Sequence, residues 1–295
     1  MPTAPAASPV ITMKKGGGRW RARVQCVTFD LDDCLWDSVL VMTAAEERRH
    51  ALLAAEFPRI VAKWPSWRDF RGTVMAAVAQ DSPEIAHSPS DVQKAALAKV
   101  AASCGYDEAL VVEKAFAAFA AARRDATLFP GALQLLRSLR ERGVVVGTIT
   151  NGNAEARLVP GLGELVDFAV TAEQAGAAKP SPAIFEMALH EARAAAPPGA
   201  AITPGTMVHV GDDHGKDVLG AQGFGCRSIW TPKTQAWDMA GPVAVQLPAE
   251  GPYWLGAADA RVAEISGVLR VIERWDSDAA VGGDEAAAEN SSARL

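Results

Sequence analysis

Cysteine is scarce in this sequence, with only four thiols in 295 residues. They lie far apart and form no Cys-x-x-Cys pair, which argues against a disulfide framework and a structural zinc site and fits a reducing compartment. Apolar runs are short, and none reaches the length of about 18 residues that a membrane span needs. The formal net charge of −6 is not that of a nucleic-acid-binding protein. We therefore predict a cytoplasmic protein with neither a nucleic-acid nor a membrane partner.

The two ends of the chain differ in composition from the middle. Apolar residues make up 49% of the sequence, enough for a large core, and the length suggests roughly two domains. Residues 1–23 are rich in Ala, Pro and Gly and contain no acid, so we predict a disordered extension, with a transit peptide for a plastid or mitochondrion as the alternative. Residues 276–295 predict a disordered acidic tail.

Four helical stretches follow a first apolar strand. The run from Val24 to Phe29 has the β-branched composition of a buried strand. The expected N-caps of the four helices are Asp37, Ser66, Ser90 (in a capping box with Gln93) and Asp107. Consecutive helices with short links predict a helical bundle over residues 38–126.

Strands and helices alternate in the second half of the chain. Apolar strands are expected at 144–150, 168–170, 207–210 and 226–231. Such alternation is typical of a parallel sheet with helices on both faces. We therefore predict an α/β fold, in which a doubly wound, Rossmann-like core of residues 24–37 and 127–275 carries the inserted α-helical bundle as a cap.

Acidic and polar residues follow the predicted strands at the points where they end. These residues are Asp30 and Asp32 after the first strand, Thr150 and Asn151 at the second, and Asp212, Asp213 and Asp217 after the fourth. An open α/β sheet brings the carboxyl ends of such strands to one crevice. Several carboxylates in one crevice need a cation, and hard oxygen ligands without a His or Cys cluster favour Mg²⁺.

The spacing of the first two aspartates suits a nucleophile with an acid–base partner. In an extended segment Asp30 and Asp32 project to the same side. A carboxylate that attacks phosphorus forms an aspartyl-phosphate, while the second carboxylate handles the proton. The Thr150 hydroxyl, the Lys179 ammonium and the N–H groups of residues 151–152 would suit the phosphoryl oxygens.

Four segments, in this order along the chain, resemble the motifs of the haloacid dehalogenase superfamily. They are FDLDDCLWD (29–37), ITNGN (149–153), the lysine of AKPSPAIF and VGDDHGKD (210–217). The resemblance is to the phosphatase branch with a helical cap inserted after the first strand, and in particular to bacterial phosphatases of FMN and of the ribitylaminouracil phosphate of riboflavin synthesis. One departure is Cys34, where the family usually has Thr or Val, and we expect a packing role for it.

The resemblance implies catalytic and phosphate-binding roles. Asp30 would be the nucleophile and an Mg²⁺ ligand. Asp32 would protonate the leaving alcohol, then activate water, and would bind Mg²⁺ through its backbone carbonyl. Thr150, Asn151 and Lys179 would bind the phosphoryl group.

The resemblance also implies roles for the acids of the fourth motif. Asp212 would be a side-chain Mg²⁺ ligand. Asp217 would bind the metal through water or orient Lys179. For Asp213 two readings stay open, since it would either join the metal shell or face solvent.

Four further residues are candidates for substrate recognition. Trp36 follows the catalytic loop and is placed to line the substrate cleft. Trp67, Arg68 and Arg71 lie in the predicted cap, where an aromatic and arginine cluster suits stacking on a flavin or base and pairing with phosphate. The alternative for these three is packing within the cap.

Together these features predict an Mg²⁺-dependent hydrolase of a small-molecule phosphomonoester, acting through an aspartyl-phosphate. A cap shuts the site from water and limits substrate size, which favours FMN, a riboflavin-pathway phosphate or a nucleotide over a phosphoprotein. The alternatives are a phosphomutase of a sugar phosphate and a non-catalytic binding protein on the same fold. A dehalogenase attacks carbon and does not need the second aspartate or the metal carboxylates. We expect a monomer or a homodimer.

Overall fold

One seven-stranded sheet forms the centre of the molecule. The structure is a computed structural model that describes residues 11–13, 22–232, 235–238, 241–244 and 258–292. The strands are β1 (Ile11–Met13), β2 (Cys26–Phe29), β3 (Val145–Thr150), β4 (Phe168–Thr171), β5 (Met207–Gly211), β6 (Arg227–Trp230), β7 (Gln235–Asp238), β8 (Gly241–Ala244) and β9 (Ala260–Val262). The sheet order is β1-β9-β6-β5-β2-β3-β4, and β7 and β8 form a separate hairpin. All neighbours in the large sheet are parallel except β1, which runs antiparallel to β9.

Helices lie between the strands and in one long insertion. The α-helices are α1 (Ser38–Glu56), α2 (Pro58–Lys63), α3 (Trp67–Asp69), α4 (Ala76–Asp81), α5 (Pro89–Ser103), α6 (Glu108–Arg123), α7 (Ala132–Glu141), α8 (Ala172–Ala175), α9 (Pro182–Ala195), α10 (Gly220–Phe224) and α11 (Val268–Ser292). A π-helical turn, Phe70–Met75, joins α3 to α4, and a second one, His214–Leu219, leads into α10. Among the described residues, none of these helices combines the length and the apolarity that a bilayer crossing requires.

The central strands are buried on both faces, as the near-continuous apolar runs predict. On one face Val27 and Val146 pack with apolar side chains of α7 and α11, such as Leu136 and Val271. On the other face Ile149 and its neighbours pack against α9 and α10. Side chains alternate between the faces of a strand, so β2 and β3 contribute to both clusters. The predicted doubly wound α/β fold is confirmed.

Helices α1 to α6, called here the helical insertion, lie between β2 and β3 in the chain and have an apolar cluster of their own. The Asp37 side chain accepts the N–H groups of Val39 and Leu40, and the Ser66 and Asp107 side chains cap α3 and α6. These three predicted caps are confirmed.

The predicted cap of α5 is wrong. Its N-cap is Ser88 rather than Ser90, and Pro89 takes the first helical position, where an N–H would have no helical partner. The Ser90 N–H instead donates to Glu173 of the core at 2.8 Å.

Both ends of the chain contain more regular structure than predicted. Within the predicted disordered extension, Ile11–Met13 pairs with β9, because this short apolar run with β-branched residues is suited to adding an edge strand to the sheet. Helix α11 continues past Trp275 through most of the predicted disordered tail, where alanine and glutamate favour a helix. Residues 1–10 and 14–21, with the glycines at 16–18, and most of residues 233–256 lie outside the described residues.

Candidate active site

Asp30 lies at the carboxyl end of β2, in the middle of the sheet. Its backbone N–H donates to the Val210 carbonyl at 2.8 Å, which continues the pairing of β2 with β5. Its side chain is nearly buried, and Oδ1 lies 2.9 Å from the Nζ of Lys179. Strand order places β3 and β5 on either side, so residues that end these strands also face this carboxylate.

Lys179 is buried among oxygen atoms that fix its ammonium group. Nζ donates to the Ile149 carbonyl at 2.8 Å and lies 2.6 Å from Oδ1 of Asp217. The Asn151 side chain accepts the backbone N–H of Lys179 at 2.7 Å and donates to its carbonyl at 3.0 Å, which fixes the loop. Burial opposes the charge, but the carboxylates of Asp30 and Asp217 outweigh it and hold the pKa of Lys179 above its ordinary range. The lysine is therefore a fixed cation beside Asp30.

Three carboxylates form a cluster at the ends of β2 and β5. Oxygen atoms of Asp30, Asp212 and Asp217 lie within 4.8 Å of one another. Burial, and then repulsion from Asp217, raise the pKa of Asp30 to about 7 although Lys179 opposes this. Burial and the nearby charges of Asp30 and Asp217 raise the pKa of Asp212 to about 8. These carboxylates are hard oxygen donors, and the cations beside them are too few to balance their negative charge. Such a set fits Mg²⁺.

Asp217 is held in place from three sides. Its Oδ2 accepts the Asp213 N–H at 2.9 Å, and its Oδ1 faces both Lys179 and Nε2 of His209, the latter at 3.1 Å. Burial opposes ionisation, but Lys179 and His209 hold the pKa of Asp217 below its ordinary range. Asp217 therefore lies against Lys179, and that it orients the lysine, one of the two roles predicted for it, stays a prediction.

His209 connects the site to the interior of the sheet, a link that the sequence did not indicate. The ring is fully buried, and Nδ1 lies 2.9 Å from the Thr28 hydroxyl. Burial lowers the pKa of His209, so the ring is neutral. In the tautomer that satisfies both neighbours, Nε2–H donates to Asp217 and the Thr28 hydroxyl donates to Nδ1.

Asp32 is held by one residue of its own loop and one of the helical insertion. Its Oδ1 accepts the Trp36 indole N–H at 2.7 Å, and Arg123 reaches Oδ1 with Nη1 at 3.3 Å and Oδ2 with Nη2 at 3.1 Å. The prediction that Trp36 lines the substrate cleft is wrong, because its indole is fully buried and positions Asp32. Arg123 was missed; its only signal is a basic residue in the last turn of a helix, which the helix dipole explains equally well.

The loop after β3 brings the phosphate-binding candidates next to Asp32. The Gly152 N–H donates to Thr150 Oγ1 at 3.0 Å. A Cβ atom at Gly152 would lie 3.0 Å from Oδ2 of Asp32 and 3.3 Å from Thr150 Oγ1, so a side chain here would crowd the site. Of the predicted phosphate-binding residues, Lys179 thus lies against Asp30 and is held by Asn151, and Thr150 lies with Asp32 beside Gly152.

Asp213 and Cys34 have local structural contacts. The Oδ1 atom of Asp213 caps the following turn by accepting the N–H groups of Gly215 and Lys216, and its Oδ2 lies 2.8 Å from the Lys216 ammonium. It is not part of the carboxylate cluster. Burial raises the pKa of the Cys34 thiol well above its ordinary value, so it stays protonated, consistent with packing.

The cap candidates for substrate recognition make their contacts within the helical insertion. The Arg68 guanidinium stacks 4.2 Å from the Trp67 ring centre, and Trp67 lines a small cavity there. Arg71 donates to Glu46 at 2.9 Å, and this fully buried glutamate also pairs with Arg49. These contacts are those of the packing alternative, and contact of these residues with a substrate stays a prediction.

The molecule has a mostly parallel sheet, a helical bundle inserted after β2, and a buried lysine beside a carboxylate cluster at the ends of the strands. These features together define a class of α/β enzymes. The family model for haloacid dehalogenase-like hydrolases matches residues 24–225, and the chain belongs to this family.

Individual relatives carry different names. The 5-amino-6-(5-phospho-D-ribitylamino)uracil phosphatase YigB of Escherichia coli K12 is 28% identical over 228 residues, which are 73% of this chain and 89% of the relative. The haloacid dehalogenase-like hydrolase domain-containing protein 3 of Bos taurus is 33% identical over 113 residues, and the chain spans only 42% of that relative's length. The solved structure of a 2-haloacid dehalogenase from Pseudomonas syringae pv. tomato DC3000 has a TM-score of 0.68 at 31% identity, with 85% of this chain and 99% of that chain covered.

Proposed function

We propose that the protein is an Mg²⁺-dependent phosphatase of a small-molecule phosphomonoester and acts through an aspartyl-phosphate on Asp30. The observation that carries this proposal is the buried pairing of Asp30 with Lys179, next to the carboxylates of Asp212 and Asp217. A carboxylate beside a fixed cation suits attack on a phosphoryl group, whose negative oxygens the cation binds. The phosphatase name of the Escherichia coli relative supports the same reading.

The residues present fit a divalent cation. The side chains of Asp30 and Asp212 would hold it, with the backbone carbonyl of Asp32 that the family resemblance implies as a further ligand. When bound, Mg²⁺ supplies positive charge to the phosphoryl oxygens. Asp217 is committed to Lys179 and His209, so we assign it an orienting role.

The chain's own residues provide the chemistry in two steps. Asp30 attacks phosphorus, the bond to the ester oxygen breaks, and Asp32 gives its proton to the departing alcohol. Water then attacks the phosphorus while Asp32 takes a proton from it, and the bond to Asp30 breaks to release phosphate. Thr150 and Lys179 bind the phosphoryl oxygens in both steps. For the substrate we propose FMN, a riboflavin-pathway phosphate or a nucleotide.

Dehalogenation is the second candidate function, because the 31% identical solved structure is named as a 2-haloacid dehalogenase. In that reaction Asp30 would attack carbon and displace a halide, and water would then hydrolyse the ester. The presence of Asp32 and Asp212 favours the phosphatase, since attack on carbon needs neither a second acid–base group nor a metal carboxylate. A phosphomutase would use the same site but return the phosphoryl group to a sugar.

The deciding experiment measures phosphate and halide release in parallel. Phosphate is followed with FMN, the ribitylaminouracil phosphate, nucleotides and sugar phosphates, and halide with 2-haloacids, each with Mg²⁺ and with a chelator. We expect chelator-sensitive phosphate release that Asp30→Asn abolishes and that the matched Asp107→Asn, at a helix cap, retains. Halide release without phosphate release would replace the proposal with dehalogenation. Normal phosphate release by folded Asp30→Asn would overturn the mechanism.

A further inference from the structure

Arg123 is a buried cation that the helical insertion delivers to the site. It is the last residue of α6, and its side chain is only 2% exposed. Through Nη1 and Nη2, the terminal edge of its guanidinium binds both oxygens of Asp32. The pair joins residues 91 positions apart in the sequence, so it forms only when the insertion lies against the core.

A second edge of the same guanidinium remains available. Its Nε atom is buried and, within the described part of the chain, has no hydrogen-bond partner. The guanidinium is planar, so its Nε–H and the N–H of Nη2 on the same side point in the same direction. These two donors form a fork next to the terminal edge that binds Asp32. Nη2 is also the Arg123 atom nearest to Gly152, 3.6 Å from where a Cβ would lie. A buried donor without an acceptor is costly, so a fork at this position indicates a missing acceptor.

We propose that Arg123 binds an oxygen of the substrate's phosphoryl group with this second edge while its terminal edge keeps hold of Asp32. The inference rests on the proposed phosphatase function for the nature of the oxyanion. Its basis is position, since Nη2, one arm of the fork, binds Asp32 and lies 3.6 Å from where a Cβ of Gly152 would be, next to Thr150. Guanidinium groups recognise phosphate by such forked hydrogen bonds. One side chain would thus fix both the phosphoryl group and the acid–base carboxylate.

The simpler role for Arg123 is to position Asp32 only. Binding of inorganic phosphate separates the two roles without any need for turnover. By calorimetry in the presence of Mg²⁺, we expect Arg123→Ala to weaken phosphate binding by about 10- to 100-fold, as expected for a lost charge-assisted fork. Arg123→Lys should recover part of the affinity, because it keeps the charge but not the fork. The matched control is Arg124→Ala, since the Arg124 side chain is partly exposed and pairs with Glu155 away from Asp32, and this change should alter the affinity by less than about twofold.

The decisive comparison uses a chain in which Asp32 carries no charge. If Arg123 binds phosphate, Arg123→Ala should weaken binding in the Asp32→Asn background as much as in the wild type. Unchanged affinity in that background would overturn the proposal and leave Arg123 as a positioning residue. Thermal melting verifies the fold; if Arg123→Ala does not fold, Arg123→Lys in the same background decides, and equal affinity again overturns the proposal.

The same measurements keep this inference separate from the proposed function. Wild-type protein that releases no phosphate from any ester but binds phosphate through Arg123 would refute the phosphatase and support the inference. The opposite outcome is a wild type that hydrolyses esters and an Arg123→Ala variant that binds phosphate as tightly as the wild type. That outcome would support the phosphatase and refute the inference.

Discussion

The charge on Asp212 makes stability depend on pH in the absence of a divalent cation. Its pKa rises from its ordinary value of 3.8 to about 8, first because of burial and then because of Asp30 and Asp217. Between these values the folded protein keeps a proton that the unfolded chain releases. The stabilisation is therefore complete below about pH 4, falls as the pH rises, and is lost above about pH 8.

The size of the effect follows from the width of that window. Each pH unit corresponds to about 1.4 kcal/mol of unfolding free energy, which sums to about 6 kcal/mol for a fully buried group. Asp212 is partly exposed, and we expect screening by water to reduce the loss to about 3 kcal/mol. For a domain of this size the loss lowers the melting temperature by about 6–12 °C. A divalent cation bound to Asp212 would oppose this loss, and mainly at high pH.

The assay is thermal melting between pH 5 and pH 9, with chelator or with Mg²⁺. The Asp212→Asn variant supplies the control, because it removes the titration of Asp212 and leaves the groups distant from the site unchanged. We expect the wild type to lose stability relative to this variant as the pH rises with chelator present, and to regain it when Mg²⁺ is added. Parallel pH profiles of the two proteins in chelator would refute the reasoning, and an equal response of both to Mg²⁺ would exclude Asp212 as a ligand.

Two further predictions concern buried polar contacts. His209→Leu should reduce kcat by about 10-fold or more with little change in KM, because Asp217 loses a hydrogen-bond donor. His209→Gln keeps an N–H donor for Asp217 and should recover most of the lost kcat. Equal loss of kcat in both variants would contradict the role of that hydrogen bond. Glu46→Gln should destabilise the protein by about 3–5 kcal/mol in urea, because buried Arg49 then lacks its carboxylate partner. The exposed pair of Glu56 supplies the control, since Glu56→Gln should cost less than about 1 kcal/mol, and equal losses in the two variants would refute the reasoning.

Local sequence patterns predicted those parts of the fold that depend on neighbouring residues. Strand ends and the caps at Asp37, Ser66 and Asp107 are of this kind, because a cap bonds to N–H groups two or three residues away. The same reasoning misplaced the cap of α5. The Gln93 side chain needed for a capping box with Ser90 instead accepts a hydrogen bond from Arg49, 44 residues earlier.

Trp36 shows how backbone geometry can reverse a prediction made from position. An indole directly after the catalytic loop suggested a wall of the substrate cleft. The chain turns sharply at Asp33, which has a φ of 65°, a left-handed conformation that aspartate tolerates better than most residues. This turn returns Trp36 to Asp32, where its N–H bonds the carboxylate and its rings are buried.

Long-range pairing also decides which carboxylates remain to be neutralised. The motifs placed five aspartates in the site and one lysine beside them, so all five were candidates for the metal. Asp213 pairs with Lys216 and lies outside the carboxylate cluster. In the structure Asp32 pairs with Arg123, and Asp217 pairs most closely with Lys179. Asp30 and Asp212 are left as the two acids whose pKa values are raised. One divalent cation would balance these two charges, which is why we assign both side chains to Mg²⁺ and give Asp217 to the lysine.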